Sequence, residues 1–199
     1  MDDTATEILE ATYRALSRHG YADLTIEDIA AEADRSTASI HYYFDDKETL
    51  FIEFLEYLSD RYTDRLASID DDDTDGARQR LLALLAVVLD DDAEATGREF
   101  RTAMLEVIAQ APYNEAIRDR MVTFDEVLFE RVHAIVSTGV ETGEFDDAVD
   151  PDLAAEFLVS ATTGAFTRQV TIDEPPQQSM ETVTGYVDAR LLPDESENL

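Results

Sequence analysis

Apolar residues recur three and four positions apart along almost the whole of this 199-residue chain, and no segment settles into two-residue alternation. That period puts them on one face of an α-helix, so the expected fold is all-α, with about nine helices and no convincing strand. Ile8, Ala11, Ala15, Leu16 and His19 share the first face, with His19 as a packed helix-end residue and Gly20 as the stop. Thr25 opens "TIEDIAAEA", where Asp28 completes a variant capping box and Ile26, Ile29, Ala30 and Ala33 face one way. Ile40, Tyr43 and Phe44 mark a short helix, and Leu50 to Tyr62 a longer amphipathic one. The acidic stretch Asp70 to Gly76 reads as a solvated loop without the full ligand pattern of a calcium site. Leu81 to Leu89 is apolar on every face and reads as a buried helix. Stripes run from Phe100 to Ala111 and from Ile117 to Ile135, with a break near Gly143. Asp150-Pro151 is an N-cap followed by proline at the first helical position, and Pro175-Pro176 separates the last two helices, expected near 150–172 and 177–192.

Whether such a chain can meet a polyanion turns on its charge. It carries 46 Asp and Glu against 15 Lys and Arg, a net charge of −31, and only one of the cations, Lys47, is a lysine. Phosphate binding needs cations, so the imbalance ordinarily argues against nucleic acid. Two explanations compete: avoidance of polyanions, and adaptation to molar salt inside the cell. In molar salt the Debye length falls to ~3 Å and a dense acidic surface keeps a protein soluble. Arg retained with Lys nearly eliminated favours the second, a halophilic composition, so net charge does not exclude DNA. The chain opens acidic, without a charged-then-apolar leader, and its longest apolar run is nine residues. A bilayer span needs ~20. The expectation is a cytoplasmic protein with no membrane partner.

Little here supports catalysis. The seven Gly form neither a P-loop nor a dinucleotide pattern, and the absence of Cys excludes thiolate metal sites. "ERVH" sets Glu130 and His133 three apart, but a di-iron bundle needs two such pairs and two further Glu. No His is placed to serve a Ser or Asp. No catalytic residue, metal site or cofactor is assigned.

The informative segment is 25–46. An eight- or nine-residue helix, a short turn "DRS", and a second short helix capped by Ser36 have the layout of a helix-turn-helix. With Ile40 turned inward, Ala38 and Tyr42 lie opposite it, flanked by Ser39 and His41. "STASIHYYF" is nine residues without a carboxylate in a chain crowded with them. Small residues let a helix axis approach a groove floor, and hydroxyl, imidazole and phenol groups can bond base edges or phosphates. Lys47 falls in the first turn of the next helix, where the macrodipole disfavours a cation. A phosphate docked there would reverse the sign, because backbone N–H groups, dipole and ammonium attract the same anion.

The stretch "ATYRALSRHGYADLTIEDIAAEADRSTASIHYYFDDKETLF", Ala11 to Phe51, resembles the DNA-binding domain of the TetR/AcrR family of transcriptional regulators. The shared features are Gly20-Tyr21, "TIEDIAAEA", Ser36 with the small residues after it, Ile40, Tyr43, Phe44, Lys47 and Leu50. The resemblance implies a DNA-binding domain at 4–64, with a fourth linking helix, and a ligand-binding and dimerisation domain at 65–193. It puts Thr37, Ala38, Ser39, His41 and Tyr42 on the recognition helix, with Ser36 and Tyr43 at its ends, and Thr25 and Lys47 at helix starts that hold phosphates. Asp34 replaces the usual turn Gly, which left-handed-tolerant Asp permits. Arg35 replaces an apolar residue and is free to reach a phosphate, and His41 replaces a common Tyr. The implied function is a ligand-responsive repressor, a homodimer joined through its last two helices on a palindromic double-stranded DNA operator. An apolar or aromatic effector would be lined by Tyr62, Leu85, Phe100, Met104, Met121, Phe124 and Phe166; Asp125 could pair with a cation or lie on a solvated face. The rival reading is an all-helical ligand-binding or interaction protein that has lost DNA binding.

Overall fold

The computed structural model describes residues 3–67, 76–89 and 97–193. Among them it forms nine helices and no strand: α1 (Asp3–Asp23), α2 (Ile26–Glu32), α3 (Thr37–Tyr43), α4 (Lys47–Ala67), α5 (Ala77–Leu89), α6 (Gly97–Ile108), α7 (Glu115–Thr142), α8 (Pro151–Thr171) and α9 (Pro176–Arg190). The all-α expectation holds. The acidic loop lies outside the described residues except for Gly76. The chain divides into two compact units, Met1–Tyr62 with Asp92–Thr123, and Thr63–Asp91 with Phe124–Leu199.

In the first unit α1 packs on α6 and α2, and α2 on α3. Ile8, Leu9, Leu16, Ile29, Ile40, Leu50 and Phe54 are completely buried there. Each such side chain contributes roughly 1.5–3 kcal/mol over its exposed state. The helical path of α1 breaks at Gly20, with φ 71° and ψ 171°, a conformation L side chains rarely adopt. The break exposes backbone N–H groups, and Glu106 of α6 satisfies two of them: its carboxylate accepts from Tyr21 N–H at 2.7 Å and Ala22 N–H at 3.2 Å. His19 departs from expectation. It is exposed rather than packed, with Nε2 3.9 Å from Asp28 Oδ1. The apolar period runs one position past the core because Gly20 turns the chain away.

In the second unit α5 packs on α8 and α9. Its apolar run is not buried all round: Leu81, Leu84, Leu85 and Leu89 are buried, whereas Ala83 is exposed and Leu82, Ala86, Val87 and Val88 are half-buried. Glu144 caps the start of α5 from a distance, accepting from Ala77 N–H at 2.6 Å and Arg78 N–H at 2.9 Å. Gln169 Nε2 donates to the Leu89 carbonyl at its other end. The expected Asp150 cap of α8 is present, accepting from Asp152 N–H at 3.0 Å and Leu153 N–H at 3.3 Å, with Pro151 at the first position. His133 pairs with Asp152 at 3.3 Å, not with Glu130. No described helix is long and apolar enough to cross a membrane.

Candidate nucleic-acid interface

Local chemistry sets the helix-turn-helix. Thr25 and Asp28 form a reciprocal capping box at the start of α2: Asp28 N–H donates to Thr25 Oγ1 at 3.2 Å, and Thr25 N–H donates to Asp28 Oδ2 at 2.9 Å. The Thr25 hydroxyl also donates to that carboxylate, at 2.5 Å. These bonds hold the Asp28 carboxyl below its ordinary range; nearby His19 and Lys47 assist and partial desolvation opposes. At the far end of α2, Asp34 takes φ 52°. Arg35 N–H then reaches the Ala30 carbonyl at 2.9 Å and Asp34 N–H the Ala31 carbonyl at 3.3 Å, the two bonds of a Schellman turn. Asp stands where Gly is usual because its short polar side chain tolerates the left-handed region. Ser36 then caps α3, accepting from Ser39 N–H at 3.2 Å.

The two faces of α3 differ sharply. Ile40 is completely buried and Phe44, just past the helix, nearly so. Ala38, His41 and Tyr42 are exposed, Tyr42 at 82 %, with Thr37, Ser39 and Tyr43 half-buried beside them. The Tyr42 and Tyr43 rings meet edge to face at 5.1 Å. His41 Nδ1 lies 3.3 Å from the Asp45 carbonyl oxygen. A carbonyl only accepts, so Nδ1 carries the proton and Nε2 is the ring's remaining polar atom. The outer face of α3 is therefore an exposed strip of small and polar groups without a carboxylate.

The cations near this face all have partners within the chain. Arg14 and Arg18 both engage Glu32. Arg35, expected to be free for a phosphate, instead pairs with Glu7 of α1 at 2.5 Å. Lys47 sits at the first position of α4, whose cap is Asp46, accepting from Thr49 N–H at 2.8 Å. Its ammonium donates to the Leu24 carbonyl and lies 5.5 Å from the centroid of the Tyr21 ring. Partial burial pushes the amine below its ordinary range, opposed by the charge of Asp28. So the lone lysine has a structural partner that its position in the sequence did not suggest. Glu7, Glu32 and Glu106 were missed in the sequence reading for the same reason. Each acts on a residue far along the chain, and no local pattern marks such a pair.

The eight candidate effector residues fall in both units: Tyr62, Phe100, Met104 and Met121 in the first, Leu85, Phe124, Asp125 and Phe166 in the second. Leu85 and Met104 are buried, Asp125 is exposed, and Phe100 stacks on Tyr13 with centroids 4.3 Å apart. None of them lines the cleft of about 380 Å³ that opens in the first unit beside Tyr21, Lys47, Glu48, Phe51, Asn114 and Ile117.

The model of the bacterial regulatory proteins of the tetR family matches residues 8–54. The BetI-type transcriptional repressor C-terminal model matches residues 77–192. A TetR transcription regulator from Haloarcula marismortui is 38 % identical with a TM-score of 0.87, the match covering 96 % of this chain and all of that one. A protein from Saccharomonospora viridis, solved in complex with choline, is 24 % identical with a TM-score of 0.86, covering 98 % of this chain and all of that one. The transcriptional repressor AcnR of Corynebacterium glutamicum is 24 % identical over 165 residues, 83 % of this chain and 81 % of that protein. With its helix-turn-helix formed and both parts matched, this chain belongs to the TetR family of DNA-binding transcriptional regulators.

Proposed function

We propose that this regulator is a ligand-responsive repressor, a homodimer whose two α3 helices enter successive major grooves of a near-palindromic operator. The observation that carries the DNA contact is the outer face of α3, where Ala38, Ser39, His41 and Tyr42 stand opposite the fully buried Ile40 with no carboxylate among them. Thr25, Ser36 and Lys47 would hold phosphates around that face, with Arg35 and Tyr43 at its edge. Residues 4–64 serve as the DNA-binding part and 65–193 as the ligand-binding and dimerisation part. The protein works in the cytoplasm of a cell with molar internal salt, as its net charge of −31 suggests.

Two features of the second unit support pairing through α8 and α9. Leu153 and Phe157, one turn apart on α8, are 69 % and 47 % exposed, and Phe157 stacks on Tyr186 of α9 at 4.0 Å. Gly164 of α8 and Gly185 of α9 also meet nothing within 4 Å where a side chain would project. A glycine inside a helix costs about 1 kcal/mol relative to alanine. Nothing among the described residues requires either one, whereas a closely crossing partner helix would. An apolar or aromatic effector acts by binding better to a state whose two heads misfit the operator.

One observation favours a second reading, an all-helical ligand-binding or interaction protein without DNA affinity: Arg14, Arg18, Arg35 and Lys47 are all engaged internally. Fluorescence anisotropy in roughly molar KCl, with DNA from upstream of the protein's own gene, separates the two. Saturable, sequence-selective binding is the expected result, and choline is a convenient first effector probe. Equal, weak binding to all sequences would leave the second reading standing.

A further inference from the structure

The cleft in the first unit has an apolar floor and a polar rim. The half-buried Tyr21 and Ile52 supply its accessible apolar surface, over Phe51 and Ile117, which are almost fully buried, and the Tyr21 ring meets Phe51 edge-on at 4.9 Å. The rim carries one cation and one anion. Among the described residues Lys47 makes no ion pair; its ammonium is spent on the Leu24 carbonyl and the Tyr21 face. Glu48 is held by Asn114, whose Nδ2 donates to Oε1 at 3.0 Å while its Oδ1 accepts from Ile117 N–H at 3.1 Å. Among the described residues the Tyr21 hydroxyl has no hydrogen-bond partner, and burial, then the charge of Glu48, pushes its phenol above the ordinary range. A cavity of about 380 Å³ lies at the small end of the range for ligand sites, roughly 300–1,000 Å³.

We infer that this cleft is a binding site for a small zwitterion, an α-amino acid with an apolar side chain. An anion alone would face Glu48, and a cation alone would face Lys47. A ligand carrying both, with an apolar third substituent, answers the carboxylate, the ammonium and the floor together. The ligand carboxylate takes Lys47, its ammonium takes the second oxygen of Glu48, and its side chain lies against Tyr21 and Ile52. At rest that ammonium holds the Leu24 carbonyl, and it cannot hold the ligand carboxylate and an operator phosphate at once, so the ligand competes with DNA for Lys47. The site itself stands without the DNA-binding reading; only its effect on DNA rests on that reading.

The test is NMR titration of the full chain in roughly molar KCl, following the Tyr21 and Phe51 ring resonances, with L-phenylalanine as probe. Saturable shifts are expected, at least tenfold weaker for 3-phenylpropanoate, which lacks the ammonium, and for 2-phenylethylamine, which lacks the carboxylate. Glu48→Gln should weaken phenylalanine binding while leaving phenylpropanoate binding equal or stronger, a change of selectivity that loss of folding cannot produce. Absence of saturable shifts up to ~10 mM phenylalanine, equal binding of the three probes, or unchanged selectivity in Glu48→Gln overturns the site. Phenylalanine that binds here yet leaves operator affinity unchanged overturns the coupling to DNA alone.

Discussion

Lys47 is asked to serve more than one acceptor. At rest it holds the Leu24 carbonyl, and in the proposed complex it faces a phosphate. Because a phosphate contact carries no base information, Lys47→Ala should weaken binding to all operator variants about equally and reduce the slope of log affinity against log salt by ~1. Tyr42→Ala should instead change which sequences are preferred, by roughly 1–3 kcal/mol at the base it reads. Competitive selection from a randomised operator, followed by salt titration, distinguishes the two. Arg35 has the same divided loyalty with Glu7. Glu7→Gln should free the guanidinium, tighten DNA binding and steepen its salt dependence, and a variant with unchanged affinity would show that Arg35 never leaves α1 for the phosphate. Residue roles of this kind were half legible. The exposure of Tyr42 and the left-handed Asp34 followed from helical period and side-chain chemistry. The partners of Lys47 and Arg35 did not, because they lie 23 and 28 positions away.

Helix boundaries follow from local chemistry wherever a cap is local. The Thr25–Asp28 box, the Ser36 cap, Asp150-Pro151 and the breaks at Gly20 and Gly143 are where the sequence puts them. The box has a pH signature. Asp28 is held below its ordinary range in the fold, so its ionised form stabilises α2 fully above the usual carboxylate range, and that contribution is lost as pH falls through the lowered value. Thermal melts of the protein and of Asp28→Asn should therefore differ near neutrality and converge in acid; a constant gap would mean that the charge contributes nothing. The starts of α5 and of the turn after Gly20 behave otherwise, because their caps come from distant segments, Glu144 just past α7 and Glu106 on α6. On α8, the exposed glycine predicts a separation of effects. Gly164→Leu should keep or raise the stability of the subunit by up to about 1 kcal/mol through helix propensity, while moving dimer dissociation to higher protein concentration in sedimentation experiments. A dimer as tight as before would place the interface elsewhere.

For the molecule as a whole, salt is the discriminating variable. Residues 1–50 carry four Lys and Arg against twelve Asp and Glu, and the four cations have partners within the chain. A protein that neutralises many phosphates loses orders of magnitude in affinity as salt rises fourfold. Here the expected dependence is shallow, with specificity resting on groove contacts and DNA shape, and anisotropy titrations from dilute to molar KCl read it directly; a steep fall would contradict it. The sequence alone determined the all-α class, the helix-turn-helix, its turn chemistry and the carboxylate-free face of α3, since each depends on residues within a turn or two of one another. Tertiary structure alone decided what Lys47 and Arg35 hold, that Glu106 closes the break at Gly20, that α5 buries one face rather than all, and that a cleft with one cation and one anion lies against α4. Those features depend on which distant segments the packing brings together, and the local period of a sequence records that a face is apolar without naming what will cover it.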